Sequence, residues 1–216
     1  MDKQTAINIH LSLMEPFNVE EKSYYSCLGH ALKEARRLTR RNEETGELEN
    51  IEGSHIWLGA IAYLMILDQI GECYNTSKTI PTVESSFRKA IHYFSGLTQS
   101  DSKILYGLRG SLVHNYSLVS RYLNRKGKWD YCYVFELAAD NDSELIKQAQ
   151  EEWDCEVSHI DRDKHSTRIN LKKIGDLVEE IYKKICGLHG LGELEINMSP
   201  EDLLKCFTFT VYDNDN

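Results

Sequence analysis

The chain has 216 residues, 41% hydrophobic and 27% charged, with a formal net charge of −9. These values are ordinary for a soluble globular protein and suit one large domain or a domain with an appendage. The charge argues at first against a nucleic-acid partner, but residues 1–128 carry a net +2 and residues 129–216 a net −11, so the first part can still offer a positive surface.

In chain order, the spacing predicts a short helix over residues 4–13, closed by Pro16. Asn18 and Glu21 have capping-box spacing and predict a long helix running to Arg41. Residues 42–53 are polar and acidic and read as a loop, after which Ser54 can cap a third helix extending to about Tyr74. Its apolar stretch from Ile56 to Leu67 is interrupted by Gly59 and followed by Asp68 and Gln69. It is therefore read as a buried central helix, too short for a bilayer. Phe87, Ala90, Ile91 and Phe94 mark a fourth helix that stops near Gly96, and Asp101 can cap a fifth with Leu105, Leu108 and Leu112 as its core stripe.

The pattern changes after Gly127. Trp129, Tyr131, Tyr133, Phe135 and Leu137 alternate as a strand; further strands are expected over 153–157 and 167–169. Asn170 can cap a helix with Ile174, Leu177, Val178, Ile181 and Ile185 on one face, ending at Gly187. Ser199 and Pro200 open a short helix, and Phe207, Phe209 and Val211 alternate before a polar tail over 213–216. The fold expected is mainly α: a helical bundle over 1–128 with a smaller, acidic α+β segment over 129–216.

Six cysteines occur, none spaced C-x-x-C, and Met1 to Gln4 do not begin a secretory signal. Reduced thiols in a cytoplasmic protein are the expectation. Cys155, His159 and His165 have loosely ligand-like spacing without the usual fourth ligand, so no metal site is assigned. The stretch around Asp140, Asp142 and Glu151 lacks the turn glycine of a calcium loop and is rejected as one. No cofactor-binding motif is present.

The chemistry-bearing stretch is Arg109-Gly110-Ser111-Leu112-Val113-His114-Asn115-Tyr116. An Arg–His pair at one fixed spacing is expected by chance about 0.4 times in such a composition; requiring the tyrosine two residues on lowers this to about 0.02. Arginine stabilises the extra charge on a phosphorane, and histidine moves protons near neutral pH. The two residues are five apart, about 140° around a regular helix, so the pair is expected to serve one ligand only when two symmetry-related helices line a cleft. Gly110 lies one turn before His114 on the same face and leaves room for a backbone or phosphate.

This Arg-x4-His-x-Tyr pattern on the last strong helix of a helical segment resembles the HEPN family over about residues 4–125. The resemblance implies a helical bundle that pairs across a two-fold axis as a homodimer. It also implies a metal-independent endoribonuclease of toxin or defence type acting on RNA, with Arg109 and His114 catalytic. Tyr116 matches the position at which a nucleotidyltransferase antitoxin attaches AMP; Asp68 stands near an acid found in several members that could orient the arginine, or equally marks where the third helix surfaces. Gly110 departs from the polar residue common after the arginine in active members. An inactive HEPN-like module that binds RNA or protein therefore stands as the alternative, and a bundle with the motif buried as a third. Arg36, Arg37, Arg40 and Arg41, with Lys33, form a basic stripe readable as an RNA-phosphate track or as a solvated face salted by Glu34 and Glu43. Arg121, Arg125, Lys126 and Lys128 could extend such a track. No membrane partner is expected.

Overall fold

A computed structural model describes residues 1–49, 56–124 and 126–212. Ser54, the end of the 42–53 loop, Arg125 and the tail over 213–216 lie outside these residues. The chain begins with α1 (Lys3–Leu11), capped by the Asp2 side chain on the Thr5 N–H. The capping-box reading of Asn18 and Glu21 is corrected here. Phe17–Val19 and Lys22–Ser26 form the hairpin strands β1 and β2 around Glu20, whose φ is 52°. Their pairing is completed by a strand near the other end of the chain, a partner no local pattern announces.

Helix α2 (Cys27–Leu38) is capped by Ser26, whose hydroxyl accepts the Gly29 N–H, and buries Leu28, Leu32, Ala35 and Arg36. It stops three residues short of Arg41 because Arg40 turns to a φ of 56°. Helix α3 (Ile56–Cys73) is central, with Ala60, Tyr63, Leu64, Leu67 and Ile70 fully buried against neighbouring helices. It is the one helix among the described residues long and apolar enough to cross a membrane by length and composition, at a mean hydropathy of 1.3, and half of that window is buried inside the fold. A short strand β3 (Tyr74–Asn75) follows, then α4 (Ser86–Phe94) and α5 (Gln99–Asn115). Asp101 is not the N-cap of α5. Thr98 is, and Asp101 returns the bond from the third helical position in a reciprocal capping box.

The expectation of a mainly helical bundle is overturned: the chain is mixed α/β, 49% helix and 19% strand, with three sheets among the described residues. The largest is a four-stranded mixed sheet. Strand β4 (Val119–Leu123) pairs antiparallel with β5 (Trp129–Ala138); β5 runs parallel to β7 (Ser166–Asn170); and β6 (Ile146–Lys147) closes the far edge on β7. Of the strands expected after residue 150, the one over 153–157 is absent. Its place is taken by irregular chain and a 3-10 turn at Val157–His159, then the short helix α6 (Arg162–His165). Trp153 there donates its indole N–H to the Glu156 carbonyl.

Helix α7 (Leu171–Gly190) is capped by Asn170 as its sequence predicts, and outlasts Gly187 by three residues. Strand β8 (Glu195–Ile196) pairs with β3, α8 (Pro200–Phe207) is capped by Ser199, and β9 (Thr208–Tyr212) completes the first sheet on β2. The position between residues 128 and 129 falls inside the β4–β5 hairpin. One core joins Leu64 and Leu108 to Phe135, Ile169, Ile174 and Ile181, so both segments pack around the same apolar centre.

Cys132 and Cys155 are joined by a disulfide that ties β5 to the excursion before α6, which corrects the expectation of six reduced thiols. Cys27, Cys73, Cys186 and Cys206 are free.

Candidate active site

Helix α5 presents Leu105, Leu108 and Leu112 to the core, which leaves Arg109 at the edge of its buried side and His114 exposed in the last turn. The Arg109 Nε donates to Oδ2 of Asp68 on α3 at 2.7 Å. Arg109 Nη1 lies 3.4 Å from His114 Nε2. The 140° expectation is therefore corrected: one helix of one chain brings the pair together. The arginine side chain is long enough to lie along the helix surface toward the C-terminal end, and the ion pair with Asp68 holds its near edge in place. At 3.4 Å the imidazole contact is long for a hydrogen bond, and a phosphate oxygen bridging the two groups would have only modest adjustment to make.

Burial raises the Asp68 carboxyl above its ordinary range, while the Arg109 guanidinium opposes that shift. A cleft of about 450 Å³ opens beside the pair, with Asp68 and Arg109 at its polar edge and Met65, Ala31 and Phe207 on its apolar side. Gly110 has open space where a side chain would stand. Tyr116 closes α5 in the left-handed region at φ 50°, unusual for a bulky residue, and is 58% exposed with its ring 5.9 Å from Trp57 of α3. Trp57 was not singled out from the sequence. Its only signal there is a large aromatic in the first turn of an apolar helix.

The basic stripe is dismantled by the fold. Arg36 is 1% exposed and makes a two-point bond to Glu179 of α7, Nε to Oε1 at 2.9 Å and Nη2 to Oε2 at 2.7 Å. Its Nη1 donates to the Glu43 carbonyl at 2.6 Å. Arg41 is buried too, bonded to Asp176 at 2.7 Å and to the Gly46 carbonyl at 3.0 Å. Arg36 lies eight residues after Leu28 and four after Leu32, on the buried face of α2, so the stripe reading put it on the wrong side. Arg37 is exposed but engaged by Glu34 and Glu43, and Arg40 is exposed.

The other sequence candidates also find ordinary partners. Cys155 is oxidised with Cys132, His159 pairs with Asp154, and His165 Nδ1 accepts the Asp161 N–H. Arg168 occupies the acidic stretch at Asp140 and Asp142. Among the described residues no three His, Cys, Asp or Glu side chains are grouped to hold a metal ion.

No family model, no curated protein and no solved structure matches this chain.

Proposed function

We propose that this protein is a metal-independent endoribonuclease of toxin or defence type, acting as a homodimer. The observation that carries the reading is the Asp68–Arg109–His114 chain, with a half-buried carboxylate behind a guanidinium and an exposed imidazole in front of it. In the cleavage step His114 takes the proton of a 2′-hydroxyl. The freed oxygen attacks the adjacent phosphorus, and the bond to the 5′-oxygen breaks. That oxygen is protonated by an imidazole of the dimer, leaving a 2′,3′-cyclic phosphate and a 5′-hydroxyl. Arg109 stabilises the five-coordinate phosphorane through paired N–H bonds. DNA lacks the nucleophile and is spared.

A second copy of the chain fits the outward stripe of α3, where Leu58 and Met65 are exposed at 50% and 41% and Ile61 and Ala62 are half-buried. This apolar stripe ends at Asp68, so pairing through it sets two Arg109–His114 pairs near one another. Exposed Tyr116 suits modification by a nucleotidyltransferase partner. Cytoplasmic action on RNA is part of this reading, and the Cys132–Cys155 disulfide would there face reducing conditions.

The test is cleavage of RNA by the full chain in excess chelator. Products ending in cyclic phosphate are expected, and His114→Ala or Arg109→Ala should slow their formation by about 100-fold or more. Intact RNA after long incubation with excess folded protein sinks the enzyme. RNA bound without cleavage, and unaffected by His114→Ala, would instead make the protein a binding module, the reading favoured by the absent polar group at Gly110.

A further inference from the structure

We infer that the hairpin of β4 and β5 is a stacking platform for single-stranded RNA and that it leads the strand along one face of α5 to His114; the choice of ligand rests on the ribonuclease reading. Among the described residues between Val119 and Asp130, Arg121, Lys126 and Lys128 are exposed bases and Asp130 is the one acid, in a chain whose total is −9. The same segment exposes large apolar groups: Tyr122 at 51%, Leu123 at 48% and Trp129 at 45%. A hairpin end that is both positive and aromatic is unusual on an acidic protein. It combines the two attractions that hold unpaired nucleotides, charge for the phosphates and ring faces for the bases.

The rings are already arranged for stacking. Tyr122 and Tyr131 lie 5.7 Å apart at 21°, and Tyr131 and Tyr133 lie 5.4 Å apart at 15°. This ladder is half-buried against the core at the Tyr133 end and open at Tyr122, so an added base would continue it outward. On the other side Arg121 lies 5.6 Å from the Trp129 ring centre. The β-bulge between Tyr122 and Leu123 rotates the strand end and gives the two aromatic edges different outlooks. A cleft of about 380 Å³ beside the Tyr122–Tyr131 edge is lined by Arg88, Lys103 and Tyr106. Glu84 and Asp130 are its acids, and Asp130 is paired with Lys103.

The connection to His114 runs along α5. Lys103, Gly107, Gly110 and His114 follow one another at spacings of four, three and four, so they share a face. Lys103 donates to the Asp130 carbonyl at 2.7 Å, and a side chain at Gly107 would meet Tyr133 at 2.9 Å. The hairpin thus covers the first half of this face. At Gly110 nothing lies within 4 Å of where a Cβ would be, and His114 beyond it is exposed. Lys103 and His114 are eleven residues apart, about 16 Å along the helix axis. A strand stacked on the hairpin end reaches the imidazole over this uncovered stretch.

The test uses the full chain carrying His114→Ala, with a fluorescent oligouridine as single-stranded probe. Adding Tyr122→Ala and Trp129→Ala is expected to weaken binding by about 10- to 100-fold. Tyr122→Phe with Trp129→Phe should restore it, since both keep a ring. Lys126→Gln with Lys128→Gln should lower the slope of log affinity against log salt by roughly 1.4. Unchanged affinity in the double alanine variant overturns the platform. So do failure of the parent to bind the probe and tighter binding of duplex RNA than of the single strand. Cleavage by the chain with His114 intact separates the two readings: hairpin-dependent binding without cleavage sinks the nuclease alone, whereas cleavage with undiminished kcat/KM in the hairpin variant sinks the platform alone.

Discussion

Arg36 and Arg109 each meet a carboxylate, but they differ in what remains for a ligand. All three nitrogens of the Arg36 guanidinium donate inside the fold, to Glu179 and to the carbonyls of Glu43 and Glu44. Arg109 gives Nε to Asp68 and turns Nη1 toward an exposed imidazole. Fixing one edge of a guanidinium lowers the entropy lost when the other edge binds phosphate. A different histidine governs stability. His10 is fully buried, with the Tyr74 hydroxyl 2.6 Å from Nδ1 and Gln69 Nε2 3.0 Å from Nε2. Burial pushes its pKa from 6.5 down to about 3. A depressed folded value means that this stability is complete above pH 6.5 and is lost as pH falls toward 3, at up to about 1.4 kcal/mol per pH unit. Urea midpoints measured between pH 7 and pH 4 should fall with acid, and the fall should be shallower in His10→Gln. Parallel curves for the two proteins would show that His10 does not control the slope.

Helix α3 has two apolar sides: among the described residues one is fully buried in the core and the other stays partly open to solvent. Tyr63, Leu64, Leu67 and Ile70 face the core, while Leu58 and Met65 face outward. Met65→Glu is therefore expected to leave the unfolding free energy of the monomer itself within about 0.5 kcal/mol of the parent monomer, as for an exposed position. It should convert a dimer to a monomer in sedimentation and abolish RNA cleavage with it. A variant that remains dimeric and active would move the interface elsewhere. Much of this helical scale was legible in the sequence. The central helix, the Leu105–Leu108–Leu112 stripe and the Asn170 cap follow from apolar period and side-chain chemistry within a few residues. The strands at 17–26 did not, because β2 has its second partner in β9, nearly two hundred residues away, and a hairpin of Phe, Val, Tyr and Ser beside a Glu turn looks locally like the start of a helix. Strand β4 was hidden for a related reason: Val119–Leu123 is a short stretch between the end of α5 and a run of basic residues, and its pairing with β5 is made across that run. At the site, the sequence nominated Arg109, His114, Asp68 and Tyr116. It did not place the first two in contact, because helical angles ignore the reach of a long side chain.

At the scale of the molecule, buried ion pairs fasten the parts together. Arg36 and Glu179 are 143 residues apart and join α2 to α7, with the Tyr63 hydroxyl of α3 donating to the same carboxylate at 2.7 Å. Glu179→Gln leaves a buried guanidinium without its charge partner and should lower the unfolding free energy by about 3–5 kcal/mol. Arg36→Leu with Glu179→Leu should recover part of that loss in the same denaturation experiment. A fall of under 1 kcal/mol in Glu179→Gln would mean water reaches the pair. The amino-acid order alone determined which segments are amphipathic, where several helices are capped and which octapeptide has the means for acid–base chemistry, since these depend on neighbours within a turn or two. Only tertiary packing decided that Arg36 and Arg41 are internal, that strands from opposite ends pair, that Cys132 meets Cys155, and that a positive aromatic hairpin lies along α5. Each of those outcomes depends on the burial of groups distant in sequence, and no local period encodes it.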